Sequence, residues 1–192
     1  MALESLMVQL GTPAPDFTLP SLTGEAVSLD NFQSEPALLV AFLSNHCPYV
    51  RRIEQALGAL TAELHARGLA TVAISSNDVR NYPDDDAEHL REQVLRAGFT
   101  FPYLIDESQD VARAYHAACT PDLFLYDADR KLAYRGEFDA ARPRNEIPSD
   151  GASLRRAVEL VLANQPVPEP HTPSIGCGLK WKPGTEPRST IL

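Results

Sequence analysis

Residues 37–52, ALLVAFLSNHCPYVRR, decide the fold of this chain. The first seven residues are continuously apolar, which is typical of a strand that is buried on both faces of a parallel sheet. Three polar residues follow, and from Pro48 onward apolar residues recur every three or four positions, which predicts a helix with one buried face. The stretch therefore predicts a buried strand, a short polar turn and a helix that begins beside Cys47.

Cys47 occupies a position that activates a thiol. The free amide groups and the positive end of the helix dipole favour a thiolate at a helix start. Pro48 suits the first helical turn because its missing N–H would have no partner there. A protonated His46 would add a positive charge beside the sulfur. An inert cysteine is expected inside an apolar run, so the polar residues before Cys47 indicate a reactive thiol.

The remaining sequence alternates strands and helices. The predicted strands are 69–75, 103–105 and 122–127, with 131–136 as a hairpin partner, and the later helices are 87–97, 108–115 and 154–162. This alternation predicts an α/β fold whose central mixed sheet is covered by helices on both faces. We expect one domain over 1–165, with an extended N-terminal segment, and an irregular proline-rich arm over 166–192.

Composition and charge narrow the function classes. A formal net charge of −9 repels phosphate backbones, so we expect no nucleic-acid partner. No run approaches the roughly 20 apolar residues of a membrane span, and the first residues lack the basic region of a secretory signal. Three cysteines are too few for a secreted disulfide framework. We therefore expect a cytoplasmic protein without a membrane partner and, because ligand-spaced motifs are missing, without a metal or cofactor.

A second motif, Cys119-Thr120-Pro121, directly precedes the strand at 122–127. Together with Cys47-Pro48 and the opening GTPAPDFTL at 11–19, it resembles the thioredoxin-like superfamily, in the branch of peroxiredoxins and related thiol-disulfide reductases. The resemblance implies a thioredoxin-like fold, a catalytic Cys47, and a cis-proline at Pro121 that shapes a substrate groove with Pro48 and Thr120. The Asn-His-Cys-Pro stretch and a later Pro-Ser-Ile-Gly-Cys also resemble a group of bacterial redoxin-domain proteins.

The sequence departs from both subfamilies. Val50 replaces the second cysteine of a Cys-x-x-Cys motif, so another thiol must release a mixed disulfide from Cys47. Ser44 matches the Thr or Ser that peroxiredoxins place three residues before their reactive cysteine. Pro121 falls where those enzymes carry an arginine, and Arg135 on the next strand is the remaining candidate for that role.

We expect an enzyme, a thiol-disulfide oxidoreductase in which Cys47 attacks as a thiolate and Ser44 and His46 support it. The alternatives are a thiol peroxidase with an antioxidant role and a non-catalytic redox-sensing or binding module. The implied partners are protein or small-molecule thiols, disulfides or peroxides, a thioredoxin-like reductant, and a second copy of the chain in a homodimer.

Cys119 and Cys177 are the candidate resolving thiols. In this fold the loop of Cys119 passes close to the active-site helix, so we expect a Cys47–Cys119 disulfide within one chain. Cys177 remains the alternative, because its flanking glycines permit a close approach and it resembles the C-terminal resolving cysteine of peroxiredoxins. We also expect the run Asp84–Asp86 to be a solvated loop and Glu54 to face solvent.

Overall fold

A computed structural model describes residues 2–187. In chain order the strands are β1 (Ala2–Glu4), β2 (Thr18–Pro20), β3 (Ala26–Ser28), β4 (Ala37–Phe42), β5 (Leu69–Ser75), β6 (Tyr103–Ile105), β7 (Cys119–Thr120), β8 (Asp122–Tyr126), β9 (Leu132–Arg135) and β10 (Ile175–Gly178). The α-helices are α1 (Pro48–His65), α2 (Ala87–Ala97), α3 (Asp110–Ala114) and α4 (Ala152–Leu162). Short 3-10 turns cover Leu29–Phe32 and Pro83–Asp85.

The central sheet has the strand order β6-β5-β4-β8-β9. β4 runs parallel to β5 and antiparallel to β8, so the sheet is mixed. Every residue of β4 is buried, because side chains that alternate along the strand enter a different core on each face. Helices α1, α2 and α4 contribute to one core and α3 to the other. The predicted fold class is confirmed.

Helix boundaries follow the capping residues of the sequence. α2 has the predicted bounds because the Asp86 carboxylate accepts the N–H groups of Glu88 and His89, both at 3.0 Å, and Gly98 ends the helix with φ +67°. α3 is shorter than the predicted 108–115, since Gln109 precedes it in a left-handed conformation. None of the helices within residues 2–187 combines the length and apolar character needed to cross a bilayer.

The C-terminal arm is not irregular throughout, and this corrects the sequence expectation. β10 lies between β1 and β7 in a three-stranded antiparallel sheet, with Cys177 directly opposite Thr120. The physical reason is that the segment Ile175–Gly178 contains no proline, so its backbone N–H groups are available for pairing. The domain boundary at 165 stays a prediction.

The close approach of β10 to β7 depends on Gly176. A Cβ atom at this position would overlap the carbonyl group of Thr120 and lie 3.0 Å from the nitrogen of Pro121. These atoms belong to the backbone and cannot move aside cheaply. We predict that Gly176→Ala separates β10 from β7 and destabilises the fold by about 1–3 kcal/mol. Hydrogen exchange of the β7 and β10 amides and thermal denaturation measure both effects.

Gly178→Ala is the matched control for this prediction. Its Cβ would meet the end of the Leu3 side chain at 2.8 Å, which can change rotamer, while the backbone oxygen of Ala118 lies 4.0 Å away at ordinary contact distance. The control is therefore expected to keep slow exchange in β7 and β10. Equal exchange in the two variants would show that the contact at Gly176 does not hold the strands together.

Candidate active site around Cys47

The thiol of Cys47 lies at the start of α1 and is fully buried. Cys47 is the N-cap residue, with an extended backbone at φ −71° and ψ 120°, and Pro48 follows as the first helical residue. Its Sγ donates a hydrogen bond to the carbonyl oxygen of Thr120 at 3.1 Å. The Thr120–Pro121 peptide bond is cis. The two sequence motifs, Cys47-Pro48 and Thr120-Pro121, therefore meet at one point.

Cys177 and Cys119 lie on opposite faces of the small sheet. Cys177 is paired with Thr120, and Gly178 is paired with Cys119. Residues directly opposite in an antiparallel pair share a face, whereas successive residues alternate, so the side chains of Cys177 and Cys119 project to different sides. Cys177 is the thiol that lies beside Cys47. The Sγ of Cys119 instead donates to the carbonyl oxygen of Pro121 at 3.5 Å.

Burial and neighbouring charge act on both of these thiols. Burial raises the pKa of Cys177 to about 11, and the hydrogen bond to Cys47 and the charge of Cys47 act in the same direction. Burial and the nearby charges of Asp122 and Cys47 raise the pKa of Cys119 far above its usual range. Both thiols are therefore protonated at neutral pH, and the S–H group of Cys177 is available to donate to the sulfur of Cys47.

Asp85 is the site residue that the sequence did not indicate. The run Asp84–Asp86 is not a solvated loop as a whole, because the Asp85 side chain is buried. Its carboxylate accepts hydrogen bonds from Ser44 Oγ at 2.9 Å and from the backbone N–H groups of Asn45 at 2.7 Å and His46 at 3.2 Å. The 3-10 turn Pro83–Asp85 directs the carboxylate toward these groups, which precede Cys47 and need an acceptor.

The Asp85 carboxylate is ionised and paired with His46. Burial alone would raise the pKa of Asp85, but hydrogen bonds from His46, Asn77 and Ser44 and the charge of His46 outweigh burial and lower it. The His46 Nδ1 lies 2.9 Å from Asp85 Oδ2, and its ring stacks on Tyr82 with centroids 5.8 Å apart. Asp85 therefore fixes the orientation of His46 as well as the loop before Cys47.

Glu54 does not face solvent, which corrects another expectation. It is 4% exposed, and its carboxylate pairs with Arg96 Nε at 2.7 Å. Arg96 also donates to Asn45 Oδ1 at 2.8 Å. The reason is that α2 packs closely on α1 at Gly58, which buries Glu54 and brings the guanidinium of α2 to it.

Arg135, the candidate for the role of the peroxiredoxin arginine, is bound by the C-terminal arm. It is 7% exposed, and its guanidinium donates to Glu169 at 3.3 Å and to His171 Nδ1 at 3.2 Å. These partners belong to the C-terminal arm. Val50, at the position of a second cysteine in Cys-x-x-Cys, is fully buried in the core.

The sequence pattern of the AhpC/TSA family matches residues 10–135. The chain belongs to the AhpC/TSA family. This confirms the resemblance to the redoxin branch of the thioredoxin-like superfamily, while the narrower group with the Asn-His-Cys-Pro stretch stays a prediction.

Three relatives show how far the similarity extends. The crystal structure of a hypothetical protein from Sinorhizobium meliloti is 49% identical, covers 94% of this chain and 99% of that one, and superposes with a TM-score of 0.92. The thiol-disulfide oxidoreductase ResA of Geobacillus thermodenitrificans is 28% identical over 129 residues, which are 67% of this chain and 70% of ResA. The thioredoxin domain of a thiol-disulfide oxidoreductase from Bacteroides vulgatus, at 20% identity, covers 81% of this chain and 99% of that domain with a TM-score of 0.63. This last likeness shows the thioredoxin-like fold.

Asp122 follows the cis-proline and is a buried carboxyl group. It accepts hydrogen bonds from Ser5 Oγ and from the backbone N–H of Ala118, the latter at 2.9 Å. Burial raises its pKa to about 6, and the hydrogen bonds offset only part of that effect. The folded state therefore favours the protonated form of the Asp122 carboxyl group.

This shift predicts a pH-dependent stability. Because the folded-state pKa of Asp122 exceeds its unfolded value, its contribution is complete below about pH 4 and is lost as the pH rises through about 6. We predict that between pH 4 and 7 the unfolding free energy of the parent falls by about 2 kcal/mol relative to that of Asp122→Asn. Denaturation of both proteins across this range measures the difference. A difference that does not change with pH would contradict the prediction.

Proposed function

We propose that this protein is a thiol-disulfide oxidoreductase that cycles between free thiols at Cys47 and Cys177 and a disulfide that joins them. The observation that carries the proposal is the pairing of β10 with β7, which brings Cys177 beside the buried thiol of Cys47. The name of the ResA relatives, thiol-disulfide oxidoreductase, supports the same reaction class. Membership of the AhpC/TSA family is consistent with thiol chemistry at Cys47.

The proposed cycle uses two exchange steps. The Cys47 thiolate attacks one sulfur of a substrate disulfide, a mixed disulfide forms, and the first substrate thiol leaves with a proton. Cys177 then loses its proton and attacks the Cys47 sulfur, which releases the second substrate thiol and leaves a Cys47–Cys177 disulfide. A dithiol reductant of the thioredoxin type restores both thiols and is itself oxidised to a disulfide.

The other site residues support the reacting thiol in this proposal. Ser44 and His46 belong to the loop that Asp85 fixes, so they hold the start of α1 in place. Pro48, Thr120 and Pro121 remain the proposed lining of the substrate groove. We propose that the enzyme acts in the cytoplasm on protein or small-molecule disulfides and that two copies of the chain form a homodimer.

Cys177 replaces Cys119 as the favoured resolving thiol. Cys119 is fully buried, lies on the other face of the β7–β10 pair and donates to Pro121. Cys177 is only partly buried and already contacts Cys47. A Cys47–Cys119 bond would require the two-residue strand β7 to turn over, whereas a Cys47–Cys177 bond needs only a small approach of two neighbouring sulfurs.

We predict that glutathione disulfide forms a Cys47–Cys177 bond within one chain of the protein. Non-reducing electrophoresis and peptide mass spectrometry should show this bond in the parent and in Cys119→Ser, and its loss in Cys177→Ser. Thioredoxin and its reductase should then reduce it with turnover. Retention of the bond in Cys177→Ser but not in Cys119→Ser would identify Cys119 as the partner. A bond that forms but never turns over would favour the redox-sensing module.

The thiol-peroxidase alternative rests on Ser44 and on family membership. We predict that hydrogen peroxide oxidises Cys47 at close to the rate of an ordinary thiol, because Arg135 is held by Glu169 and His171. Loss of one donor to developing charge slows such reactions by about 100-fold or more. Trapping of the sulfenic acid over time measures the rate. A fast rate that Arg135→Gln abolishes would instead establish a peroxidase with Arg135 in its site.

A further inference from the structure

A buried polar bridge joins the two segments that carry Cys47 and Cys177. On one side, Asp85 accepts the backbone N–H groups of Asn45 and His46, the two residues before Cys47. On the other side, Asn77 accepts the backbone N–H of Lys180, three residues after Cys177, at 2.8 Å. Between them, Asn77 Nδ2 donates to Asp85 Oδ2 at 2.6 Å. Asp85 is 1% exposed and Asn77 is 9% exposed.

We propose that Asp85 and Asn77 are positioning residues that hold the Cys177 segment against the Cys47 loop and so raise the effective concentration of one thiol toward the other. This inference rests on the proposed Cys47–Cys177 redox pair. Neither residue touches a reacting sulfur in the proposal. Each acts through the backbone of the segment that it binds.

The hydrogen bonds of the segment that follows Cys177 support this role. The backbone N–H of Asp78 donates to the carbonyl oxygen of Lys180 at 2.8 Å, and Gln109 Nε2 donates to the same oxygen at 2.9 Å. Lys180 is therefore held by its N–H through Asn77 and by its carbonyl through two other donors. On the other side of Cys177, Gly176 is held against Thr120. Cys177 lies between two fixed points, and the Asn77 bond is the one that connects to the Cys47 loop.

The bridge needs one carboxylate and one amide at positions 85 and 77. In Asp85→Asn, an amide oxygen that still accepts the N–H of Asn45 leaves an NH₂ group facing the NH₂ of Asn77. Rotation of the Asn77 amide relieves this clash but turns its NH₂ toward the N–H of Lys180. Two donors then face each other at one position or the other, and the bridge is broken in both arrangements.

Exchange of the two side chains should restore the bridge. In the double variant Asp85→Asn/Asn77→Asp, the amide at 85 donates to the carboxylate at 77, which also accepts the N–H of Lys180. The amide oxygen at 85 still accepts the N–H of Asn45. The double variant keeps the net charge of the parent but moves the carboxylate away from His46, whose Nδ1 lies 2.9 Å from Asp85 Oδ2. In the double variant the neutral imidazole accepts from the new NH₂ group at 85 through Nδ1.

The test is the equilibrium between the protein thiols and glutathione. One glutathione disulfide bond breaks, one Cys47–Cys177 bond forms, and two protons pass to the two glutathione thiols. The equilibrium constant of this exchange is the effective concentration of Cys177 toward Cys47. We expect Asp85→Asn and Asn77→Ala to lower it by about five- to tenfold, which corresponds to loss of about one buried hydrogen bond. The double variant should return it to the parent value.

Asp106→Asn is the matched control. Asp106 is also a buried aspartate near the ends of the central strands, and its carboxylate accepts from Ser76 Oγ and from the backbone N–H of Ala112, both at 2.9 Å. Within residues 2–187 it bonds to neither cysteine segment. We expect this variant to lose thermal stability and keep the parent equilibrium constant, because a purely structural loss weakens the dithiol and disulfide forms alike.

The outcomes separate this inference from the proposed function. If the parent forms no Cys47–Cys177 disulfide, the redox pair itself is refuted. If the parent forms the bond but shares one equilibrium constant with Asp85→Asn, Asn77→Ala and the double variant, the redox pair stands and the positioning role is refuted. A double variant as low as Asp85→Asn, together with Asn77→Ala at the parent value, also refutes it, because the loss then follows the Asp85–His46 pair and not the bridge. Asn77→Ala, which leaves Asp85 bonded to the loop before Cys47, gives the same decision if Asp85→Asn fails to fold.

Discussion

The contact between Gly176 and the Thr120 carbonyl group is the constraint on which the site depends. A side chain at 176 has no room there, so glycine alone lets β10 lie directly against β7. That pairing sets Cys177 opposite Thr120, and the same Thr120 carbonyl accepts the thiol of Cys47. One backbone group therefore fixes the relative positions of two cysteines that are 130 residues apart in sequence. The distance along the chain costs little, because loop-closure entropy grows only slowly with length.

Most of the central fold is predictable from the sequence because each element carries its own signal. β4 is identified by seven apolar residues in a row, and α1 by its apolar periodicity after Pro48. α2 is bounded by Asp86 and Gly98, which cap it in the structure. Local signals of this kind depend on a few neighbouring residues, so a single sequence is enough to locate them.

The long-range features of the site were not predictable in the same way. Asp85 lies in an acidic, proline-containing loop whose composition is that of a solvated turn, and its role depends on donors 40 residues earlier. Glu54 is buried by the packing of α2 on α1, and Arg96 of α2 pairs with it. The one usable signal was the polar loop before Cys47: its N–H groups precede a helix and need acceptors, although the sequence does not say which residue supplies them.

The arm shows why the choice between Cys119 and Cys177 could not be made from the sequence. Nearness to Pro121 along the chain favoured Cys119, but a strand alternates its side chains, so this residue projects away from the face that Thr120 shares with Cys177. The prolines around 166–173 suggested an arm without pairing, and the proline-free segment Ile175–Gly178 reversed that expectation.

Because Cys47 is buried, the C-terminal arm also affects how a substrate can reach this thiol. The thiol has no exposed surface in this state, and Cys177 is part of what covers it. A substrate disulfide must reach the Cys47 sulfur along its S–S axis, so part of this cover has to move before attack. In the proposed cycle, a movement of β10 that exposes Cys47 would also withdraw Cys177, and its return would release the substrate thiol and bury the new disulfide. Substrate entry and resolution would then both depend on the bonds that hold β10 in place.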